Sequence, residues 1–139
     1  MINNHGDVIA QAALQYPNSD TRAYGAMAPQ VDCSMFVAEV YSKSGYLLPR
    51  EATAQAAWFK KNGSYSTDLK SLQIGDAAYW DRGAGKYHTG IIVQVLPVVL
   101  VVHATSNKGK ANCIKKNELR PNGIIVYWTF PFVGAGRIK

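Results

Sequence analysis

Apolar residues recur along this chain with two different periods, and the period changes near Asp76. Val8, Ile9, Ala12, Ala13 and Tyr16 share one helical face ahead of Pro17-Asn18, which predicts a first helix from about Asn4 to Tyr16. From Cys33 onward Phe36, Val37, Val40 and Tyr41 repeat that spacing, and Gly45 stands where a C-terminal cap is expected. A third helical stretch, EATAQAAWFKK, follows Pro49-Arg50 and is closed by Asn62-Gly63. Beyond Asp76, β-branched and aromatic residues dominate. AAYW, TGIIVQV, VVLVVHA, NCIK and GIIVYWTF read as strands, separated by turn residues such as Asp81-Arg82-Gly83 and Pro121-Asn122-Gly123. Helices first and a mostly antiparallel sheet second predict an α+β fold. No repeat or linker divides the chain, so residues 1–139 are expected to form a single domain.

Composition narrows the classes of function. Hydrophobic residues make up 47% and charged residues 17%, the balance of a globular chain. Fifteen Lys and Arg against nine Asp and Glu give a net charge of +6, which favours anionic partners such as nucleic acid, acidic lipid or bacterial wall polymer. The basic residues are scattered, with only Lys60-Lys61, Lys108-Gly109-Lys110 and Lys115-Lys116 as short clusters. Neither zinc-finger spacing nor an aromatic RNA signature accompanies them, so no nucleic-acid partner is expected. MINNHGDVIAQAALQYP lacks a basic region followed by an apolar one, and VLPVVLVV is too short for a membrane span and contains Pro97. The expectation is a soluble chain made in the cytoplasm without a signal peptide. Cys33 and Cys113 are the only cysteines and have no metal-ligand spacing, so neither a disulfide, a metal nor another cofactor is expected.

Cys33 opens the second helix, flanked by Asp32 and Ser34. A helix N-terminus favours a thiolate, because its unpaired N–H groups and dipole attract negative charge. A small buried hydrophobe is the competing reading, against which the polar neighbours weigh. A nucleophilic cysteine needs a base, and the base needs a third group to hold it. Of the three histidines, His5 lies among Asn and Gly as a surface residue, whereas His88 opens one predicted strand and His103 ends the next. If those strands form a hairpin near Leu96-Pro97, pairing His88 with His103 centres the turn between Val95 and Leu96 and sets the two rings opposite one another. A slip of one residue would put them on opposite faces.

With Cys33, His88 and His103 in this order, the chain resembles the NlpC/p60 family of papain-like cell-wall cysteine peptidases. DCSMFVAEVYSKSGYLLPREATAQ is similar to the family's Asp-Cys-Ser, apolar helix, Gly, Leu-Pro-Arg and Ala/Gln pattern. IGDAAYW resembles its Gly-Asp strand, YHTGIIV its histidine strand, and VVHAT the strand bearing the third polar residue. The resemblance implies a papain-like catalytic domain in which Cys33 is the nucleophile, His88 its base and His103 the group orienting His88. It implies that Tyr24 lies beside the thiol and helps hold the oxyanion. Asp32 and Ser34 then match positions that contact the free amine of a peptide stem, with helix capping and a first-turn carboxylate as their structural alternatives. Met35 replaces a common glycine, a bulk expected to narrow the cleft, and Cys113 is expected as a buried sheet residue.

The same resemblance implies hydrolysis of an amide in the peptide stem of peptidoglycan, with the D-glutamyl–diaminopimelate bond as the expected target. The compact chain resembles small amidase effectors injected by type VI secretion, which implies an antibacterial role and a cognate immunity protein. A phage lysin, or a piece trimmed from a longer protein, is the competing origin. An acyltransferase, a deamidase or an inactive binding module on the same fold stands as the alternative function.

Overall fold

The computed structural model describes residues 5–106 and 111–139. Three helices come first, α1 (His5–Leu14), α2 (Cys33–Ser42) and α3 (Ala52–Asn62). Six strands follow, β1 (Ser64–Ser66), β2 (Ala77–Gly83), β3 (Lys86–Gln94), β4 (Leu100–Ala104), β5 (Ile114–Glu118) and β6 (Phe132–Arg137). They form one sheet in the order β1-β6-β2-β3-β4-β5, antiparallel at every pairing. The fold is α+β, as the change of period predicts. Asn4, placed in the first helix from sequence, lies outside the described residues.

Both faces of the central strands are covered, which explains why they read as continuous apolar runs. Ala77, Tyr79, Ile91 and Val102 pack with Phe36, Val37, Val40, Tyr41 and Phe59 of the helices. Ala78, Trp80, Ile92 and Val101 belong to a second cluster with Leu72, Leu119 and Ile125. Gly45 takes φ 89°, while Tyr46 N–H donates to Tyr41 O at 3.1 Å, the left-handed helix stop expected of it.

Three strand expectations are corrected. Asp81-Arg82-Gly83 is not the first turn: β2 runs through it with a bulge, and the turn is Ala84-Gly85, both at positive φ, between paired Gly83 and Lys86. That is the two-residue hairpin geometry whose twist matches the strands. GIIVYWTF is not a strand. Apart from one isolated bridge, Leu119 to Ile125, the segment is irregular, and the strand beside β2 is FVGAGR of β6. Its aromatic residues are enriched for a different reason, since Trp128 and Phe130 cover the second cluster. NCIK contributes only from Ile114; Cys113 is buried just ahead of β5, with its thiol 3.9 Å from Val31 O.

The hairpin of β3 and β4 forms, in a register shifted by two residues. Ile91 pairs with Val102 and Ile92 with Val101, which centres the turn between Leu96 and Pro97. A two-residue shift keeps every side chain on its face, so the two histidines still share one.

Candidate active site

α2 begins at Cys33 because Asp32 caps it: Asp32 is extended, and its Oδ1 accepts from Met35 N at 2.9 Å. Cys33 is therefore the first helical residue, 4% exposed, where the helix leaves its earliest N–H groups without intrahelical partners. Asp32 Oδ2 also accepts from Arg50 Nη2 at 2.8 Å, and Ser34 Oγ accepts from Arg50 Nη1 at 2.8 Å. One guanidinium thus ties the Leu-Pro-Arg segment to the head of α2. The capping and the ion pair are both present at Asp32, alongside any contact it makes with substrate. Met35 packs against the helical core and lines neither lobe of the cleft described below, so the narrowing expected of it does not arise.

His88 on β3 and His103 on β4 are 2% and 0% exposed. Continuing the observed register sets Gly90, not His88, directly opposite His103. A Cβ on Gly90 would come within 2.8 Å of His103 Cβ and 3.0 Å of Val102 O. Because glycine leaves that space open, His103 lies across it and meets His88 on the diagonal, Nε2 to Nδ1 at 2.8 Å. The same diagonal step recurs one strand further. His103 pairs with Lys115, and its Nε2 meets Oδ1 of Asn117, two residues on, at 2.8 Å.

The direction of the protons follows from the far end. The Asn117 carbonyl oxygen only accepts, so His103 Nε2 carries hydrogen and His103 Nδ1 is a lone pair. His88 Nε2 must then donate, leaving His88 Nδ1 unprotonated and without a protein partner among the described residues. Burial, reinforced by His103 and by the positive charge of Arg82, holds the His88 imidazole well below 6.5, and burial takes His103 down to about 4. Trp128 closes over both rings at 4.5 and 5.3 Å between centroids.

Burial pushes the Cys33 thiol up, although the Thr89 backbone N–H, the Tyr24 hydroxyl and Arg82 each favour its thiolate. Burial likewise raises the Tyr24 hydroxyl to about 12. The thiol is thus placed against Tyr24 and the residue that follows His88. No hydrogen bond joins it to either imidazole among the described residues. Resting thiol and resting imidazole are both neutral, with a proton-accepting nitrogen on His88 and a proton to give on Cys33. Two lobes of one cleft meet here. A polar one of about 250 Å³ holds Cys33, Asp32, Ser34 and Arg50; another of about 430 Å³ holds His88 and the aromatic wall of Tyr127, Trp128 and Phe130.

Of the site residues read from sequence, the structure joins His88 to His103, sets Tyr24 beside Cys33, and groups Asp32 with Ser34. Sequence reading missed Asn117, Trp128 and the part played by Arg50. Arg50 carried a signal, as the arginine of Leu-Pro-Arg; Asn117 in a run of lysines carried none. Among the described residues no group of three His, Cys, Asp or Glu could hold a metal ion, and no helix is long and apolar enough to cross a membrane.

A cysteine heading a helix that packs on an antiparallel sheet, with a histidine pair on that sheet's central strands, defines the papain-like class of α+β fold. Residues 21–128 match the NlpC/P60 family, and the chain belongs to it. It is 29% identical over 117 residues to a probable endopeptidase p60 of Listeria seeligeri, a match that covers 84% of this chain and 19% of the relative. The chain thus spans about a fifth of the length of that relative. Among solved structures it resembles the NlpC/p60 domain of the peptidoglycan hydrolase SagA (TM-score 0.67, 21% identity, 97% of this chain and 100% of that one). It also resembles NlpC1 from Trichomonas vaginalis (TM-score 0.70, 16% identity, 99% of this chain and 46% of that one). These likenesses concern the fold.

Proposed function

We propose that this protein is a cysteine hydrolase that cleaves an amide in the peptide stem of bacterial peptidoglycan, with the bond between D-glutamate and diaminopimelate as its target. The observation that carries the reading is the relay from Asn117 through His103 to His88, which leaves His88 Nδ1 as an open base one residue from the backbone group beside the thiol. Family membership and the peptidoglycan-hydrolysing relative support the substrate class.

Substrate lies across the two lobes with its scissile carbonyl at Cys33. Because thiol and imidazole rest neutral, the Sγ proton passes to His88 Nδ1 as sulfur attacks the carbonyl carbon; catalytic hydrogen bonds of this kind commonly tighten only when substrate is bound. Negative charge collects on the carbonyl oxygen, where the Cys33 backbone N–H and the Tyr24 hydroxyl are the available donors. His88, now cationic and stabilised by the acceptor His103, gives the proton to the leaving nitrogen as the carbon–nitrogen bond breaks. A water then yields a proton to His88 and attacks the thioester, and the thiolate recovers that proton.

Digestion of purified peptidoglycan with wild type and Cys33→Ala, followed by mass spectrometry of the fragments, tests this. Wild type is expected to release peptides ending in a free D-glutamate γ-carboxylate, with a new amine on diaminopimelate, and Cys33→Ala at least about a thousandfold fewer. Unchanged muropeptides from walls of several chemotypes, or equal release by Cys33→Ala, would overturn it.

A further inference from the structure

Five arginines occur in the chain, and three of them are committed to carboxylates: Arg22 to Asp20 and Glu39, Arg50 to Asp32, and Arg137 to Asp76. Arg120 lies in a groove away from the thiol. Arg82 differs from all four, because it has no hydrogen-bond or ion-pair partner among the described residues and stands in the cleft. It sits at the β2 bulge, just before the Ala84-Gly85 turn, while the adjacent Asp81 carboxylate is turned onto Gly83 N at 2.7 Å. Arg82 and Tyr24 are the two residues that line both lobes, so the guanidinium stands at their junction, where the scissile bond must cross. Its charge is felt by Cys33, Tyr24 and His88 alike.

A guanidinium with no partner among the described residues, standing at the junction of the two lobes while the neighbouring Arg50 is committed to Asp32, has a geometry suited to one ligand class. Its planar fork matches a carboxylate in two parallel hydrogen bonds, which a carboxamide cannot accept in the same way. We infer that Arg82 anchors a free carboxylate carried by a residue adjoining the scissile amide, and so makes the enzyme selective for stems in which that carboxyl is not amidated. This rests on the stem-peptide reading above. A γ-linked D-glutamate leaves its α-carboxylate free on the acyl side, and diaminopimelate brings a carboxylate on the leaving side; the chemistry at Arg82 is the same for either.

Three synthetic stem peptides separate the cases: one unmodified, one with the acyl-side carboxyl amidated, and one with the leaving-side carboxyl amidated. Wild type is expected to lose about 10- to 100-fold in kcat/KM on whichever peptide lacks the anchored carboxylate. Arg82→Gln is expected to fall by the same factor on the unmodified peptide while barely changing on that amidated one. The wild-type preference then collapses to near unity, and the affected arm identifies the carboxylate. Lys86→Gln, at the rim of the polar lobe, should keep the wild-type preference. Equal rates of wild type on all three peptides, or an equal loss by Arg82→Gln on all three, overturns the proposal and leaves the hydrolase reading standing. Cleavage of none of them, with no release from peptidoglycan, overturns the hydrolase reading itself.

Discussion

Two clusters of buried polar groups lie on the same sheet and are built on opposite principles. At the start of β2, Asp76 is 1% exposed and is gripped by Arg137 of β6, Nε to Oδ1 at 2.7 Å and Nη2 to Oδ2 at 2.9 Å. Gln73 N adds a third donor to Oδ2, and Arg137 Nη2 also reaches Ser71 O. Both charges are present and the groups around them complete the bonding. On β3, β4 and β5 the chain of His88, His103 and Asn117 is neutral, and its bonding runs one way to a nitrogen left open. The first cluster has no proton to move and serves the fold. The second is kept uncharged by burial and ends on a nitrogen with a free lone pair, and the difference lies in how each cluster ends.

Removing a partner from the closed cluster is expected to have the largest effect on stability. Asp76→Ala leaves the partly exposed Arg137 without its carboxylate and Gln73 N without an acceptor, and should lower the unfolding free energy by about 2–4 kcal/mol in urea titration. Below the unfolding transition kcat/KM should be unchanged, because Asp76 lines neither lobe of the cleft. A loss of activity in the folded variant would erase the contrast between the two clusters.

The open cluster reveals itself through pH. His103 has its folded value near 4 against 6.5 unfolded, and His88 is shifted in the same direction. Below 6.5 the unfolded chain binds protons that the folded chain refuses, so this contribution is complete above pH 6.5 and is lost as pH falls toward 4. Between pH 7 and pH 4.5 His103 alone should remove on the order of 2–3 kcal/mol of stability. His103→Gln should flatten that slope in urea titrations at the two pH values. An unaltered slope would mean that the ring is not held neutral.

The same contrast explains what could be read from the chain. Helical periodicity in VDCSMFVAEVYSKSG located α2, its cap and the cysteine that heads it, because local spacing alone decides which residues open a helix. The shared face of His88 and His103 was legible for a similar reason: a strand alternates with period two, and an error of two residues changes nothing about facing. What escaped was non-local. Asn117 reaches His103 only because β5 pairs with β4 across a segment that includes residues outside those described, and Trp128 reaches the imidazoles from a stretch whose β-branched neighbours read as a strand. Gly134 and Gly136 weakened the strand signal of β6, where glycine is required by Tyr65 and Phe59 lying within 2.4 and 2.2 Å of any added Cβ.

The smallest expected effect lies at the outer end of the relay. Asn117→Ala removes the acceptor that keeps hydrogen on His103 Nε2, so His103 can adopt the other tautomer and turn its Nδ1–H toward His88. His88 would then present a lone pair to His103 and carry its proton on Nδ1, facing the thiol with a donor where a base is needed. Asn117 is half-buried and its side chain makes one hydrogen bond among the described residues, so the stability loss should be about 1 kcal/mol, whereas kcat/KM should fall about tenfold. Asn117→Asp keeps an acceptor and adds a negative charge, which favours the imidazolium. It should restore most of the rate at neutral pH and move the acid limb of kcat/KM upward, a displacement that a residue filling space alone would not cause. Equal rates and superimposable pH profiles for wild type and both variants would confine Asn117 to a structural role, and the relay would end at His103.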